Sequence, residues 1–216
     1  RATYYRVKQG FDHMAVALSA AIQMMVYSKA AGVMFTVDLV TGNDNNILIE
    51  GAYGLGEYVV GGIVTPDNFR VDKTKMEITD RMINDKNIRL VRKADGDTVE
   101  EVVPEAEAKQ QVISDAQVLE LATYAKAIEK HYGCYMDMEW GVDELDGKLW
   151  ILQARPETVW SRKDKAEVVE TTATTTDREI VVKGLPASPG KAAGKAHVIL
   201  DPADIDSFQE GEILVT

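Results

Sequence analysis

Four polar residues in this 216-residue chain have the types and the spacing to handle a phosphate and a divalent cation. Asp137 and Glu139 stand two apart, as do Gln153 and Arg155. If each pair lies on a strand, side-chain alternation puts both of its members on one face. Two carboxylates and an amide oxygen suit Mg²⁺, which keeps several waters and shares its other positions between one or two carboxylates and substrate phosphates. Arg155 adds a planar fork of donors that matches a phosphoryl oxygen. The chemistry so assembled is that of a nucleotide site. The same residues would equally serve as the solvated polar face of an edge hairpin, and spacing alone does not choose.

The two pairs must also share one face of the sheet, which is a question of register. A tight two-residue turn at Asp146-Gly147 would set Glu139 opposite Ala154 and send Gln153 to the other side, since a shift of one residue flips every side chain. A shared site therefore requires an odd loop of three or five residues, or a β-bulge, so that Glu139 lies beside Gln153 and Asp137 beside Arg155.

Other candidate groups are less specific. Gly51, Gly54, Gly56, Gly61 and Gly62 crowd one stretch, and such a backbone can approach a ligand closely. Its spacing matches neither the Walker pattern nor the dinucleotide fingerprint. Glu57, just after Gly56 in it, reads as a further metal or nucleotide contact or as a surface charge. His13 and His197 are isolated, and His131 falls in the last turn of a helix, where an imidazolium suits the dipole. Cys134 is the only cysteine, so a disulfide framework within the chain and a cysteine-based zinc cluster are both excluded. It reads as a small buried hydrophobe.

The elements that would position these groups are strands interrupted by helices, an α+β arrangement. Residues 20–27, 32–38, 46–52, 68–72, 77–82, 88–93 and 98–103 have strand periodicity or strand composition, with turn residues such as Gly42-Asn43-Asp44 and Asp95-Gly96-Asp97 between them. One helix is clearly delimited. Ser114 and Gln117 make a capping box, Leu121, Ala125, Ile128 and Tyr132 recur at helical spacing, and Gly133 supplies the left-handed stop. Residues 136–141 and 148–154 form the strand pair that carries the four polar groups. From 161 to 177 the composition changes to Lys, Asp, Glu and Thr, which reads as a linker, and strand-like runs at 197–200 and 213–216 follow it in a new domain.

Lys and Arg number 24 against 35 Asp and Glu, a formal net charge of −11. Such a surface repels phosphate backbones and anionic headgroups, so neither nucleic acid nor membrane is expected as the partner. No apolar run approaches the roughly 18 residues that cross a bilayer, and a cytoplasmic setting is expected. The chain opens on Arg1 and closes within the apolar run Ile213-Leu214-Val215, so a piece of a longer protein is expected.

Nine motifs occur in order: Arg1-Ala2-Thr3-Tyr4-Tyr5-Arg6, Gly10-Phe11-Asp12-His13, Gln23-Met24-Met25-Val26, Gly32-Val33-Met34-Phe35-Thr36, Gly54-Leu55-Gly56-Glu57-Tyr58-Val59-Val60, Pro66-Asp67, Ile128-Glu129-Lys130-His131-Tyr132-Gly133, Asp137-Met138-Glu139-Trp140 and Gln153-Ala154-Arg155-Pro156-Glu157-Thr158. In that order they resemble the phosphoenolpyruvate synthase (pyruvate, water dikinase) family almost end to end. Rifampicin phosphotransferases and pyruvate, phosphate dikinases are the nearest alternatives, with a non-catalytic degenerate module as a third. The resemblance implies the C-terminal part of an ATP-grasp domain over residues 1–160, a linker over 161–178, and the start of a phosphohistidine swivelling β/α domain over 179–216. It implies ATP as substrate and Mg²⁺ as cofactor. On the same ground Gln23, Met24 and Val26 lie along the strand that meets adenine, Glu57 near the phosphates, and Asp137 in the nucleotide site. Glu139 and Gln153 would hold the metal and Arg155 would contact phosphate as the catalytic residue. Pyruvate would act on another domain, the intact enzyme would be a homo-oligomer in pyruvate metabolism and gluconeogenesis, and this piece alone would be inactive.

Overall fold

Alternating apolar residues assemble six strands into one antiparallel sheet. The structure, a computed structural model, describes residues 2–17, 19–158, 160 and 193–215. In chain order the elements are α1 (Ala2–Gln9), β1 (Ser28–Phe35), β2 (Asn46–Tyr53), α2 (Glu57–Val60), β3 (Asp67–Asp72), β4 (Glu77–Met82), β5 (Ile88–Arg92), β6 (Thr98–Val102), α3 (Glu105–Ala108), α4 (Asp115–Tyr132), β7 (Met136–Asp143) and β8 (Leu149–Pro156). Beyond them come β9 (Lys195–Val198), a 3₁₀ turn (Pro202–Ser207) and β10 (Glu212–Val215). The large sheet runs β4-β3-β2-β1-β7-β8, while β5-β6 and β9-β10 form separate two-stranded sheets.

One face of the large sheet is the core. Met34, Ile47, Ile49, Phe69, Val71, Met136, Met138, Trp140 and Val142 are buried there with Val118, Leu121, Ala122 and Ala125 of α4. α4 has its expected ends. The Ser114 hydroxyl accepts from the Gln117 amide, the Gln117 side chain accepts from the Ser114 amide, and Gly133 is left-handed at φ 69°. The apolar row of α4 runs out at Tyr132, which is 57% exposed. Cys134 is only half buried and packs against the core rather than within it.

The glycine-rich stretch has a packing explanation. A Cβ on Gly51 would stand 2.7 Å from the Trp140 ring, and one on Gly54, at φ 80°, would meet the Leu90 carbonyl oxygen at 2.3 Å. Both positions let neighbouring elements close up, Gly51 beneath the largest core side chain and Gly54 against β5.

Two buried acids fix the loops. The Lys86 ammonium and the Asp67 carboxylate are 2.5 Å apart and both fully buried, and Asp67 also accepts from the amides of Asn84 and Val112. This satisfied cluster ties the segments on both sides of the β5-β6 hairpin to β3. Asp38 accepts from the amides of Val40 and Thr41 and from Arg70 Nε. Burial raises the Asp38 pKa, yet the two amides and the guanidinium outweigh it and hold the carboxyl below its ordinary value.

Three expectations are corrected. Residues 20–27 are not a strand but an irregular segment, because among the described residues their alternation finds no strand to pair with: Ile22 and Met24 are almost fully exposed, and the Tyr27 carbonyl accepts from Glu144 at the sheet margin. The strand expected at 32–38 begins and ends earlier, at Ser28–Phe35, and Asp38 belongs to a turn. Near the chain end, β9 begins two residues before the expected run, at Lys195, and pairs in parallel with β10. There His197 Nδ1 lies 2.6 Å from Glu212 Oε2. The proposed linker at 161–178 and residues 179–192 of the proposed swivelling domain lie outside the described residues.

Candidate functional site

The face of the sheet opposite the core carries the four polar groups. β7 and β8 are joined by a four-residue connection in which the Asp143 amide donates to the Lys148 carbonyl and the Gly147 amide to the Asp143 carbonyl. An even loop of this kind gives the register Val142↔Leu149, Gly141↔Trp150 and Trp140↔Ile151. Continued unbroken, it would set Met138 opposite Gln153 and turn Gln153 and Arg155 into the core. A β-bulge prevents this. Leu152 is passed over, and beyond it the pairs are Glu139↔Gln153, Met138↔Ala154 and Asp137↔Arg155. The bulge is the device that the sequence requires for the four residues to share a face.

Arg155 Nε donates to Asp137 Oδ2 at 2.8 Å. Asp137 is mostly covered, its side chain 16% exposed, whereas Arg155 is 61% exposed. The carboxylate thus engages Nε of the guanidinium, and among the described residues its terminal amino groups bond to no other group. Phe35, Leu39, Pro156 and Trp160 join these two residues around a cavity of about 460 Å³, within the size range of ligand pockets. Trp160 donates through its indole N–H to the Leu39 carbonyl, which closes one wall.

Glu139 and Gln153 are directly opposed, so their Cβ atoms are about 4.5–5.5 Å apart. Among the described residues neither side chain bonds to another protein group, which leaves one carboxylate and one amide oxygen free to coordinate. No group of three or more His, Cys, Asp or Glu side chains placed to hold a metal ion occurs among the described residues. The donor set therefore fits a hard cation completed by water and phosphate oxygens rather than one caged by protein.

The pairing continues across the sheet as a row: Asn68, Glu50, Val33, Glu139 and Gln153. Glu50 and Asn68 are site-face residues that the sequence reading missed. Asn68 Nδ2 donates to Glu50 Oε1 at 2.7 Å, and burial pushes the Glu50 carboxyl above its ordinary pKa despite that bond. The available signal was a lone carboxylate at an alternating position in the apolar run Ile47-Leu48-Ile49-Glu50.

The remaining expected residues are placed less uniformly. Gln23 reaches the bulge: its Nε2 donates to the Leu152 carbonyl at 3.3 Å. Met24 is 90% exposed and Val26 half-buried in the same irregular segment. Glu57 opens α2 and is exposed. A Cβ on Gly56, the N-cap of α2, would stand 3.7 Å from Ala31. Ala31 shares the open face with Val33, so α2 lies over that face, and Glu57 makes no bond to Glu139 or Gln153.

Comparison with known proteins identifies the family. Residues 1–176 match the family model for the pyruvate phosphate dikinase AMP/ATP-binding domain. The whole chain is 44% identical to part of phosphoenolpyruvate synthase from Pyrococcus furiosus and 43% identical to part of that from Neisseria meningitidis serogroup B, spanning 27% and 29% of those proteins. A probable phosphoenolpyruvate synthase of Methanocaldococcus jannaschii is 43% identical over the whole chain, which covers 18% of it. The chain thus spans under a third of the length of these relatives. Its open sheet face, with a paired Arg and Asp beside an uncommitted Glu and Gln, is the face of a protein that belongs to the pyruvate phosphate dikinase AMP/ATP-binding domain family.

Proposed function

We propose that the open face is one wall of an ATP cleft with ATP-grasp architecture, in which Glu139 and Gln153 hold Mg²⁺ and Arg155 binds a phosphoryl oxygen. The observation that carries this reading is the bulge at Leu152, which sets an uncommitted carboxylate and amide side by side, one step along the sheet from an Arg held by its own Asp. The cation, when bound, neutralises phosphate charge and fixes the phosphate geometry. The protein's part is positional: Asp137 orients Arg155, Arg155 offers its terminal amino groups to charge that develops on the transferred phosphoryl group, and the sheet keeps Glu139 and Gln153 in register. Gln23, Met24 and Val26 run past adenine in this reading, and Glu57 of α2 approaches the phosphates from above the same face.

The intact protein is, on this reading, a phosphoenolpyruvate synthase. It converts ATP, pyruvate and water to phosphoenolpyruvate, AMP and phosphate through a phosphohistidine on a swivelling domain that begins near residue 179, with 161–178 as the linker. The 43–44% identity to phosphoenolpyruvate synthases over the full chain supports that assignment. The test is phosphoryl transfer in the intact protein. Glu139→Ala and Gln153→Ala should each reduce metal-dependent transfer by about 10²–10³-fold, the scale of losing one preorganised charge-stabilising contact. Parent-level turnover in either variant would refute the metal assignment.

A further inference from the structure

We infer that Gln23 is a positioning residue that acts through its side chain on the β8 bulge, and so on the register of the proposed metal ligands. This rests on the reading of Glu139 and Gln153 given above. β8 is an edge strand of the sheet, and Leu152 is the one residue of its pairing with β7 that has no partner. An unpaired residue at an edge is held weakly, because a bulge interrupts the ladder that would hold it. Two contacts hold this one. The Leu152 side chain leans over Gly141, where a Cβ would lie 3.4 Å from Leu152 Cδ1. The Leu152 carbonyl accepts from Gln23 Nε2, a residue 129 positions away.

Removal of the bulge would not merely loosen β8. It would carry the register at Trp140↔Ile151 through to the strand end, and Gln153 and Arg155 would exchange faces with Ala154. Full exchange is opposed by the burial of two polar side chains, so loss of the clip leaves the bulged register dominant but less sharply fixed. The residue that feels this first is Gln153, next in the chain to Leu152. Gln23 is therefore expected to govern metal affinity more than nucleotide affinity, although it sits in the segment associated with adenine.

The experiment uses the intact protein and MgATP. Gln23→Leu and the near-isosteric Gln23→Glu both remove the donor. Each should raise the Mg²⁺ concentration for half-maximal phosphoryl transfer about three- to tenfold, the range one hydrogen bond commands. ATP affinity measured in EDTA should fall by a smaller factor than the one by which the Mg²⁺ requirement rises. Gln23→Lys, which restores a donor of similar reach, should return the Mg²⁺ requirement to within about twofold. An unchanged Mg²⁺ requirement in Gln23→Leu and Gln23→Glu overturns the inference, and so does an equal fall in metal-free ATP affinity, which would place Gln23 on the nucleotide itself. Failure of the underlying reading is separately visible, since Glu139→Ala and Gln153→Ala would then leave the metal requirement unmoved.

Discussion

Glu139 and Trp140 are neighbours in the chain and look to opposite sides of one sheet. Trp140 is fully buried, lies against Gly51 and donates its indole N–H to the Val33 carbonyl. Glu139 is half-buried and its side chain bonds to none of the described residues, and opposite it the Gln153 side chain is equally uncommitted. The same contrast holds along β7, where Met136, Met138 and Val142 are buried and Asp137 faces outward with Arg155. On the core face every group is used in packing. On the open face polar groups are held in place without being used up, as a surface that must exchange ligands requires. The two faces should therefore respond to mutation in opposite ways, one in stability and the other in chemistry.

The largest effect belongs to the core face. Trp140→Ala should cost about 3–5 kcal/mol of stability, because it empties the space beneath Gly51 as well as removing apolar burial. Thermal or denaturant unfolding measures this. Glu139→Ala, one residue away, should change stability by no more than about 0.5 kcal/mol. A comparable loss of stability in both would break the division between faces.

Much of this division was legible in the sequence. The two-residue spacing of Asp137 with Glu139 and of Gln153 with Arg155, set against Met138 and Ala154 between them, already separates the faces, and parity alone demands an odd loop or a bulge. The capping box at Ser114 and the stop at Gly133 likewise fix α4 from local chemistry. What was not legible depends on contacts distant in the chain. Residues 20–27 alternate like a strand but have no strand beside them among the described residues, a fact that only the assembled sheet decides. The glycines at 51 and 54 invite a phosphate loop until Trp140 and Leu90 are seen packed against them. Glu50 gains its meaning from Asn68, and Asp67 from Lys86, partners whose adjacency no local pattern encodes.

The next effect sharpens the open face into two roles. Asp137 touches Arg155 rather than lying free like Glu139. Asp137→Ala should lower kcat/KM about tenfold, roughly 1.4 kcal/mol of transition-state stabilisation, by releasing the guanidinium. The Mg²⁺ requirement should stay within about twofold, in contrast to Glu139→Ala. A Mg²⁺ requirement raised as far in Asp137→Ala as in Glu139→Ala would make Asp137 a ligand rather than an orienting group.

The smallest effect concerns Glu50, which lies between the two regimes: it is on the open face, yet burial raises its carboxyl pKa and only Asn68 offsets this. A carboxyl whose folded pKa lies above its unfolded value of about 4.3 gives its full stabilisation below that value and loses it as pH rises through the folded pKa. At neutral pH the ionised Glu50 is therefore a net cost to the fold. Glu50→Gln keeps an oxygen for Asn68 and removes the charge, so it should stabilise the protein at pH 7 by up to about 1 kcal/mol, a rise of roughly 2–4 °C in Tm for a chain of this size. The gain should shrink as pH falls from the folded pKa toward the ordinary glutamate range, because the parent then becomes neutral as well. Thermal unfolding of both proteins at pH 7 and near pH 4.5 measures the difference. A variant less stable than the parent at pH 7 would mean that the carboxylate is held by favourable charge on this face, and Glu50 would then group with the committed pair Asp137 and Arg155 rather than with the uncommitted Glu139 and Gln153.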